Sequence, residues 1–212
     1  MARDWFRKST WDDADQSDFE ARLKRARAAS RPQQVYLQGY TLMETGKPGL
    51  LRAALELAER AVSQFPPHGH VSAAQHLMGL CLERLGDAAG ALRAYRAAVQ
   101  TERAGRCILT DAYLDFGWLV AIGGLRDDYG EATALLDEFA ARPAFPVQRF
   151  RYHSARALMA AESGSRAEAV AQARLALDAA RADRSGFASH QHLGLVDDRF
   201  ADIQQRLRSL AG

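Results

Sequence analysis

The six prolines of this 212-residue chain all lie between stretches rich in alanine and leucine, and none lies within such a stretch. They are Pro32, Pro48, Pro66, Pro67, Pro143 and Pro146. Because a proline inside a helix costs about 3 kcal/mol, the stretches between the prolines are free to run as helices. Forty-one alanines favour the same structure, since alanine is the best helix former. The sequence therefore predicts an all-α fold.

The chain is predicted to form an N-terminal helix, four helix pairs and a final helix. The N-terminal helix covers about 12–30 and the final helix about 196–210. The pairs are about 33–45 with 49–64, 71–85 with 87–102, 109–123 with 129–141, and 147–163 with 165–182. Gly46, Gly86, Gly124 and Gly164 separate the partners of the four pairs. Glycine is typical of these places because it adopts the left-handed conformation that ends many helices.

A glycine recurs at one position in the first helix of three pairs. Gly39, Gly79 and Gly117 occupy this position, and Ala155 takes it in the fourth pair. A glycine in the middle of a helix costs roughly 1 kcal/mol relative to alanine. Its recurrence therefore predicts a close approach of two helices at each of these points.

The second pair carries the most complete repeat pattern, which consists of Gly79, Leu82, Gly86, Ala91, Tyr95 and Ala98. With these residues, positions 72–103 resemble a tetratricopeptide repeat (TPR), although Gln75 stands where that motif usually has Trp or Leu. The resemblance extends in weaker form over 32–182. It implies a right-handed α-solenoid of about four stacked antiparallel helix pairs, with N- and C-terminal capping helices.

The length of 212 residues allows one domain or two small ones, and the resemblance implies a single domain over 1–212. An N-terminal aromatic segment and helix would occupy 1–31, the repeats 32–182, and a loop with the capping helix 183–212. Trp5, Phe6 and Trp11 are predicted to fold back onto the first pair, with a partner-binding hook as the alternative.

The final helix has an apolar stripe of Phe200, Ile203, Leu207 and Leu210. It is predicted to act as a cap, with self-association as the alternative. The C-terminal loop before it contains Phe187.

Charge and composition narrow the class of protein. The 28 basic and 26 acidic residues give a net charge of +2, whereas a dedicated nucleic-acid binder needs a concentrated basic stripe. Because most of the basic residues are arginines, a regulatory nucleic-acid-binding repeat protein remains the alternative. The basic residues of the N-terminal helix are Arg22, Lys24, Arg25, Arg27 and Arg31. Acidic residues of the same helix offset them, which predicts a solvated helix face.

The sequence also predicts a cytoplasmic protein that does not enter a membrane. No apolar run approaches the roughly 20 residues needed to span a bilayer. Charges stand near the N-terminus, where a signal peptide has its apolar core. With only Cys81 and Cys107, no disulfide framework is expected, which favours a reducing compartment.

No motif for catalysis or metal binding is present in the sequence. The pairs His68/His70 and His190/His192 lack the third and fourth ligands of a zinc site. Cys107 has no recognisable histidine partner, and neither a nucleophile elbow nor a phosphate loop occurs. The sequence therefore predicts no enzyme activity, no metal and no cofactor.

The resemblance implies that the first helix of each pair lines a concave groove. The groove positions are Gln33, Tyr36, Tyr40, His76, Glu83, Asp111, Asp115, Trp118, Arg149, Tyr152 and Arg156. Steps of three and four residues place the members of each set on one helix face. Tyr, Trp and Arg are enriched in the energetically important parts of interfaces. The alternatives are a solvated face or intramolecular Asp–Arg pairs.

The predicted function is that of a non-enzymatic protein–protein interaction module. Its groove would bind a segment of a protein partner. The module would serve either as an adaptor or scaffold, or as an immunity or antitoxin-like protein. The segment around Trp5 and Trp11 also resembles the opening of a group of bacterial TPR-like proteins.

Overall fold

The computed structural model describes residues 4–65, 68–105, 107–186 and 190–212, and these residues form ten α-helices and no β-strand. The helices are α1 (Asp13–Arg25), α2 (Arg31–Glu44), α3 (Pro48–Ser63), α4 (Val71–Arg84), α5 (Ala88–Arg103), α6 (Ala112–Gly123), α7 (Tyr129–Glu138), α8 (Pro146–Glu162), α9 (Arg166–Ala180) and α10 (Ala201–Ala211). The all-α prediction is confirmed. Pro66, Pro67 and Phe187 lie outside the described residues.

The chain divides into two compact units, a first unit of Met1–Ala112 and a second unit of Tyr113–Gly212. Within the described part of the chain, no helix combines the length and the apolar character that a membrane crossing requires.

In the first unit, α2 packs against α3, α3 against α4, and α4 against α5. Buried side chains from α1 to α4 form its core, including Phe19, Val35, Leu42 and Leu77. Trp5, Phe6 and Trp11 pack against this core, and the Trp5 ring centroid lies 5.4 Å from that of Phe19. The aromatic segment thus folds back, as the first of the two sequence interpretations expected.

The repeated glycines lie where two helices approach closely. A Cβ added to Gly79 on α4 would lie 2.3 Å from the ring of Tyr95 on α5. At Gly39 the nearest atom to such a Cβ is a backbone oxygen of α3, 3.1 Å away. At Gly117 the nearest atom belongs to Leu136, at 2.9 Å. A side chain at any of these positions would therefore force a neighbouring group to shift, in agreement with the close approach that the recurrence predicted.

In the second unit, α8 packs against α9, and α10 packs against both. The core includes Trp118, Phe150 and Leu207, and Leu207 is completely buried. Phe200, Ile203 and Leu210 pack around this core. The apolar stripe of the last helix is therefore used within the unit.

Most helix ends agree with the sequence prediction within about two residues, whereas α6 begins and α7 ends about three residues inside the predicted bounds, and the end of α1 and the start of α10 differ by about five. Pro48 and Pro146 are the first residues of α3 and α8. Proline is well tolerated there, because the backbone N–H of a first helical residue has no hydrogen-bond partner within the helix. The first helix ends at Arg25 rather than near residue 30, and a short 3₁₀ turn leads into α2. Arg31 stabilises this end by donating to the carbonyls of Ala26 and Lys24. The last helix begins at Ala201, after a 3₁₀ turn capped by Asp197.

Candidate functional site

Three of the predicted groove residues lie along α2 in the first unit. Gln33 and Tyr40 are exposed, and Tyr36 is half-buried between them. The Tyr36 ring centroid lies 6.2 Å from that of Tyr40, and His70 stacks on Tyr36 at the same distance. We call this row the tyrosine face (Gln33, Tyr36, Tyr40 and His70). It is an aromatic surface on a helix whose opposite side is buried in the core.

The tyrosine face is uncharged but has charges of both signs beside it. Burial raises the pKa of Tyr36 and Tyr40, so both phenols stay protonated at neutral pH. Two nearby charges have smaller effects than burial on the pKa of Tyr40: the charge of Glu44 raises it, and the charge of Arg84 lowers it. Arg84 is held near α2 because its guanidinium donates to the carbonyl of Met43 at 2.8 Å.

His76 and Glu83, the groove positions on α4, are both half-buried and contact Tyr95. The His76 ring lies 5.7 Å from the Tyr95 ring, and the Tyr95 hydroxyl donates to Glu83 Oε2 at 2.6 Å. These two side chains therefore take part in holding α4 against α5. Asp111 is half-buried and directly precedes α6.

Asp115 and Trp118 are buried in the second unit, 6% and 9% exposed. Arg151 donates to Asp115 Oδ1 at 2.6 Å, and its guanidinium lies 5.1 Å from the centre of the Trp118 ring. The Trp118 ring also contacts Phe200 at 5.6 Å. An intramolecular Asp–Arg pair, one of the sequence alternatives, is thus present at Asp115. Sequence reasoning missed Arg151, because it considered only the helix face that contains Arg149.

The groove positions on α8 differ in exposure. Arg149 is exposed and donates to the carbonyl of Ala144 at 2.7 Å, whereas Tyr152 is only 6% exposed. Arg156 is half-buried, and its Nη1 donates to the Tyr152 hydroxyl at 3.2 Å.

Arg156 also bridges α8 to both neighbouring helices. It forms ion pairs with Asp137 on α7 and with Glu168 on α9 at 2.7 Å. Burial alone would lower the pKa of Arg156. Hydrogen bonds to Tyr152 and Glu168, together with the charge of Asp137, raise that pKa above its ordinary value. Arg156 therefore carries a permanent charge.

A cavity of about 340 Å³ lies beside Arg156, between α7, α8 and α9. We call it the Arg156 cavity, and its walls include Tyr129, Thr133, Arg156, Met159, Ser165 and Glu168. Among the described residues, no acceptor lies within hydrogen-bond distance of the buried Nε of Arg156. A buried donor without an acceptor costs about 1–3 kcal/mol, so an oxygen atom brought to it would be stabilising. Sequence reasoning missed Thr133 and Glu168, because it searched only the first helix of each pair.

His68 and Cys107 form hydrogen bonds within the fold, and Cys81 is buried. His68 Nε2 lies 2.9 Å from the carbonyl of Ala61, and His68 Nδ1 accepts from the backbone of His70 at 3.1 Å. The described residues contain no group of three or more side chains placed to hold a metal. Burial raises the pKa of Cys81 to about 12, which keeps it a thiol, and the thiol of Cys107 donates to the carbonyl of Thr101.

No known protein family, curated protein or solved structure matches the chain. Its site is therefore defined by geometry alone. The fold and the side chains define an all-α protein that presents two candidate binding surfaces. These are the tyrosine face in the first unit and the Arg156 cavity in the second.

Proposed function

We propose that this protein is a non-enzymatic interaction module that binds a segment of a partner protein. The tyrosine face carries the proposal. It places two tyrosines 6.2 Å apart at the surface of a helix that is otherwise anchored in the core. Tyrosine is among the residues that contribute most to binding, because its large ring is rigid and its hydroxyl forms hydrogen bonds.

The charges near the tyrosine face support a partner segment that carries both signs. Glu44 and Arg84 both act on Tyr40, so a partner that docks on the rings meets an acidic and a basic group. Such charges contribute specificity and association rate more than affinity.

The Arg156 cavity supports the same function as a second contact surface. Its wall combines the charged side chains of Arg156 and Glu168 with the apolar side chain of Met159. Asp137 and Glu168 hold the guanidinium in place, so little side-chain entropy is lost on binding.

The architecture proposed with this function is the TPR-like right-handed solenoid with capping helices at both ends. The packing of α2 with α3 and of α4 with α5 supports it, as do the close contacts at Gly39 and Gly79. Within this class, a cytoplasmic adaptor or scaffold and an immunity or antitoxin-like protein are the two roles we propose. Co-expression with the neighbouring gene separates them, because only an antitoxin-like protein rescues growth from a toxic neighbour.

A pull-down with tagged protein from lysate of the native organism tests the proposal. We expect a stoichiometric protein that survives high salt and is lost with the variant Tyr36→Ala/Tyr40→Ala. The matched control is Leu109→Ala/Leu175→Ala, which removes two exposed apolar side chains elsewhere. Circular dichroism of each variant verifies that the helices remain folded.

Two outcomes would contradict the proposal. One is a partner that binds the tyrosine variant as well as the wild type, or that is lost equally with the control. The other is recovery of nucleic acid alone, released at high salt, which would favour the nucleic-acid alternative.

A further inference from the structure

A further candidate site is indicated in the first unit, where a cavity of about 580 Å³ lies beside the N-terminal segment. We call it the Trp5 cavity, and its walls include Trp5, Arg22, Arg25, Arg27, Ser30 and Gln34. The volume is within the range of sites that enclose small molecules, about 300–1,000 Å³. Three arginines and one tryptophan therefore line a space of ligand size.

The carboxylates of α1 are largely engaged elsewhere. Asp15 and Asp18 both pair with Lys8, at 3.0 and 2.9 Å, and Glu20 forms an ion pair with Arg60. Asp18 also pairs with Arg22 at 2.8 Å. Of the three arginines that line the cavity, only Arg22 thus pairs with a carboxylate of α1.

Arg25 and Arg27 remain available for a ligand. Among the described residues, no carboxylate lies within ion-pair distance of either guanidinium, and both side chains are exposed. The only hydrogen bond of the Arg25 side chain within that part of the chain joins its Nε to the carbonyl of Ala21. This leaves the two terminal nitrogens of Arg25 for another acceptor. A pair of such arginines matches the oxygens of a phosphate group.

The cavity lies at the C-terminus of α1, where the helix dipole is negative and would oppose an anion. Here the effect is offset, because Arg31 donates to the carbonyls of Lys24 and Ala26 at 2.9 and 3.1 Å. The backbone N–H of Ala26 in turn donates to the carbonyls of Arg22 and Leu23. The charged residues on the cavity wall are therefore the arginines.

Trp5 and Gln34 point to a ligand that is more than a simple anion. The indole of Trp5 is fixed by Phe6 and Phe19, with ring centroids at 5.5 and 5.4 Å, and still lines the cavity. Gln34 Oε1 is buried and accepts no hydrogen bond from the described residues. Because the terminal torsion of a glutamine is broad, rotation of the Gln34 amide can present this oxygen to a donor in the cavity.

From this arrangement we infer that the Trp5 cavity binds a nucleoside monophosphate. Arg25 and Arg27 would hold the phosphate, the indole of Trp5 would contact the planar base, and Gln34 would accept a hydrogen bond from a base N–H. The inference is independent of the proposed partner binding, because it uses none of the residues of the tyrosine face.

Calorimetric titration of the full chain with the four 5′-ribonucleoside monophosphates tests the inference. We expect at least one to bind with a Kd below about 1 mM at low salt. Adenosine and the other free nucleosides, and inorganic phosphate alone, should each bind at least tenfold more weakly than that monophosphate. The variant Arg25→Ala/Arg27→Ala should also lose at least tenfold.

The matched control is Arg52→Ala/Arg93→Ala, which removes the same charge from exposed positions on α3 and α5. It should bind as the wild type does. Gln34→Glu places a carboxylate among the arginines and should abolish binding while the circular dichroism spectrum stays unchanged. The inference is overturned by any one of three results: no monophosphate binds, inorganic phosphate binds as well as the best monophosphate, or the control loses as much affinity as Arg25→Ala/Arg27→Ala.

Discussion

The aromatic residues predicted to bind a partner are accessible in the first unit and covered in the second. Tyr40 is 37% exposed on α2, whereas Trp118 and Tyr152 on α6 and α8 are nearly inaccessible. The cover over Trp118 includes Phe200, which precedes α10 and contacts both Trp118 and Phe150. Positions that the sequence pattern predicts to be equivalent thus have different environments.

This difference shows what a repeat pattern does and does not determine. Helical spacing determines which side chains share a face, as the proximity of the Tyr36 and Tyr40 rings illustrates. What lies over that face depends on segments outside the repeat. In the second unit the C-terminal segment supplies Phe200 and Leu207, and the aromatic residue becomes part of a core.

The largest expected effect contrasts Trp118 with Tyr40. Trp118→Ala removes a buried ring and should lower the free energy of unfolding by about 3–5 kcal/mol. Tyr40→Ala removes a partly exposed ring and should cost less than about 1 kcal/mol. Urea unfolding followed by far-ultraviolet circular dichroism measures both. Equal losses for the two variants would contradict the difference in burial between Trp118 and Tyr40.

The next effect concerns the charge that the second unit buries. Asp115→Asn leaves Arg151 without its ionised partner and should cost about 2–3 kcal/mol, because the guanidinium is largely removed from water. The matched control is Asp178→Asn, whose partner Arg181 lies at a similar distance on the exposed surface. That change should cost less than about 0.5 kcal/mol. A control loss as large as that of Asp115→Asn would contradict the assignment of a structural role to Asp115.

The repeated glycines permit a third test across the two units. Gly79→Ala would bring a Cβ against the rigid ring of Tyr95, and we expect a loss of about 2–3 kcal/mol. Gly117→Ala meets the Cγ and both Cδ atoms of the buried Leu136 at 2.9–3.0 Å, and an aliphatic side chain can shift more readily than a ring, so we expect about 1 kcal/mol. Thermal and urea unfolding measure these losses. Gly49→Ala, with no atom near the added Cβ, is the control and should be nearly neutral.

The helix content and most helix ends were predictable from the sequence, because they depend on local features. Prolines and glycines act within a few residues, and Pro48 and Pro146 indeed begin their helices. The end of α1 at Arg25 was not predictable in this way. It depends on hydrogen bonds from Arg31, whose side chain reaches back over the turn.

The candidate sites were predictable only in part, for the same reason. A spacing of four residues indicated that Tyr36 and Tyr40 share a face. No spacing indicates that Arg156 meets Asp137 and Glu168, since these residues belong to three different helices. The Trp5 cavity likewise joins residues that are distant in sequence, and the charge balance of α1 alone had suggested a solvated face.

The smallest expected effect concerns pH and again contrasts the two units. Burial lowers the pKa of His153 in the second unit and of His70 in the first below their ordinary value of 6.5. An unfolded chain takes up protons near that pH, whereas the folded protein keeps both rings neutral. The free energy of unfolding should therefore fall as the pH decreases through 6.5 towards the lowered pKa values.

His153→Gln should reduce this pH dependence more than His70→Gln, because His153 is the more deeply buried of the two rings. Urea unfolding at several pH values between about 7.5 and 5.5 measures the slope for each variant. A slope that neither substitution changes would show that other groups control it. A larger change of this slope with His70→Gln than with His153→Gln would contradict the expectation that the second unit buries its histidine more deeply.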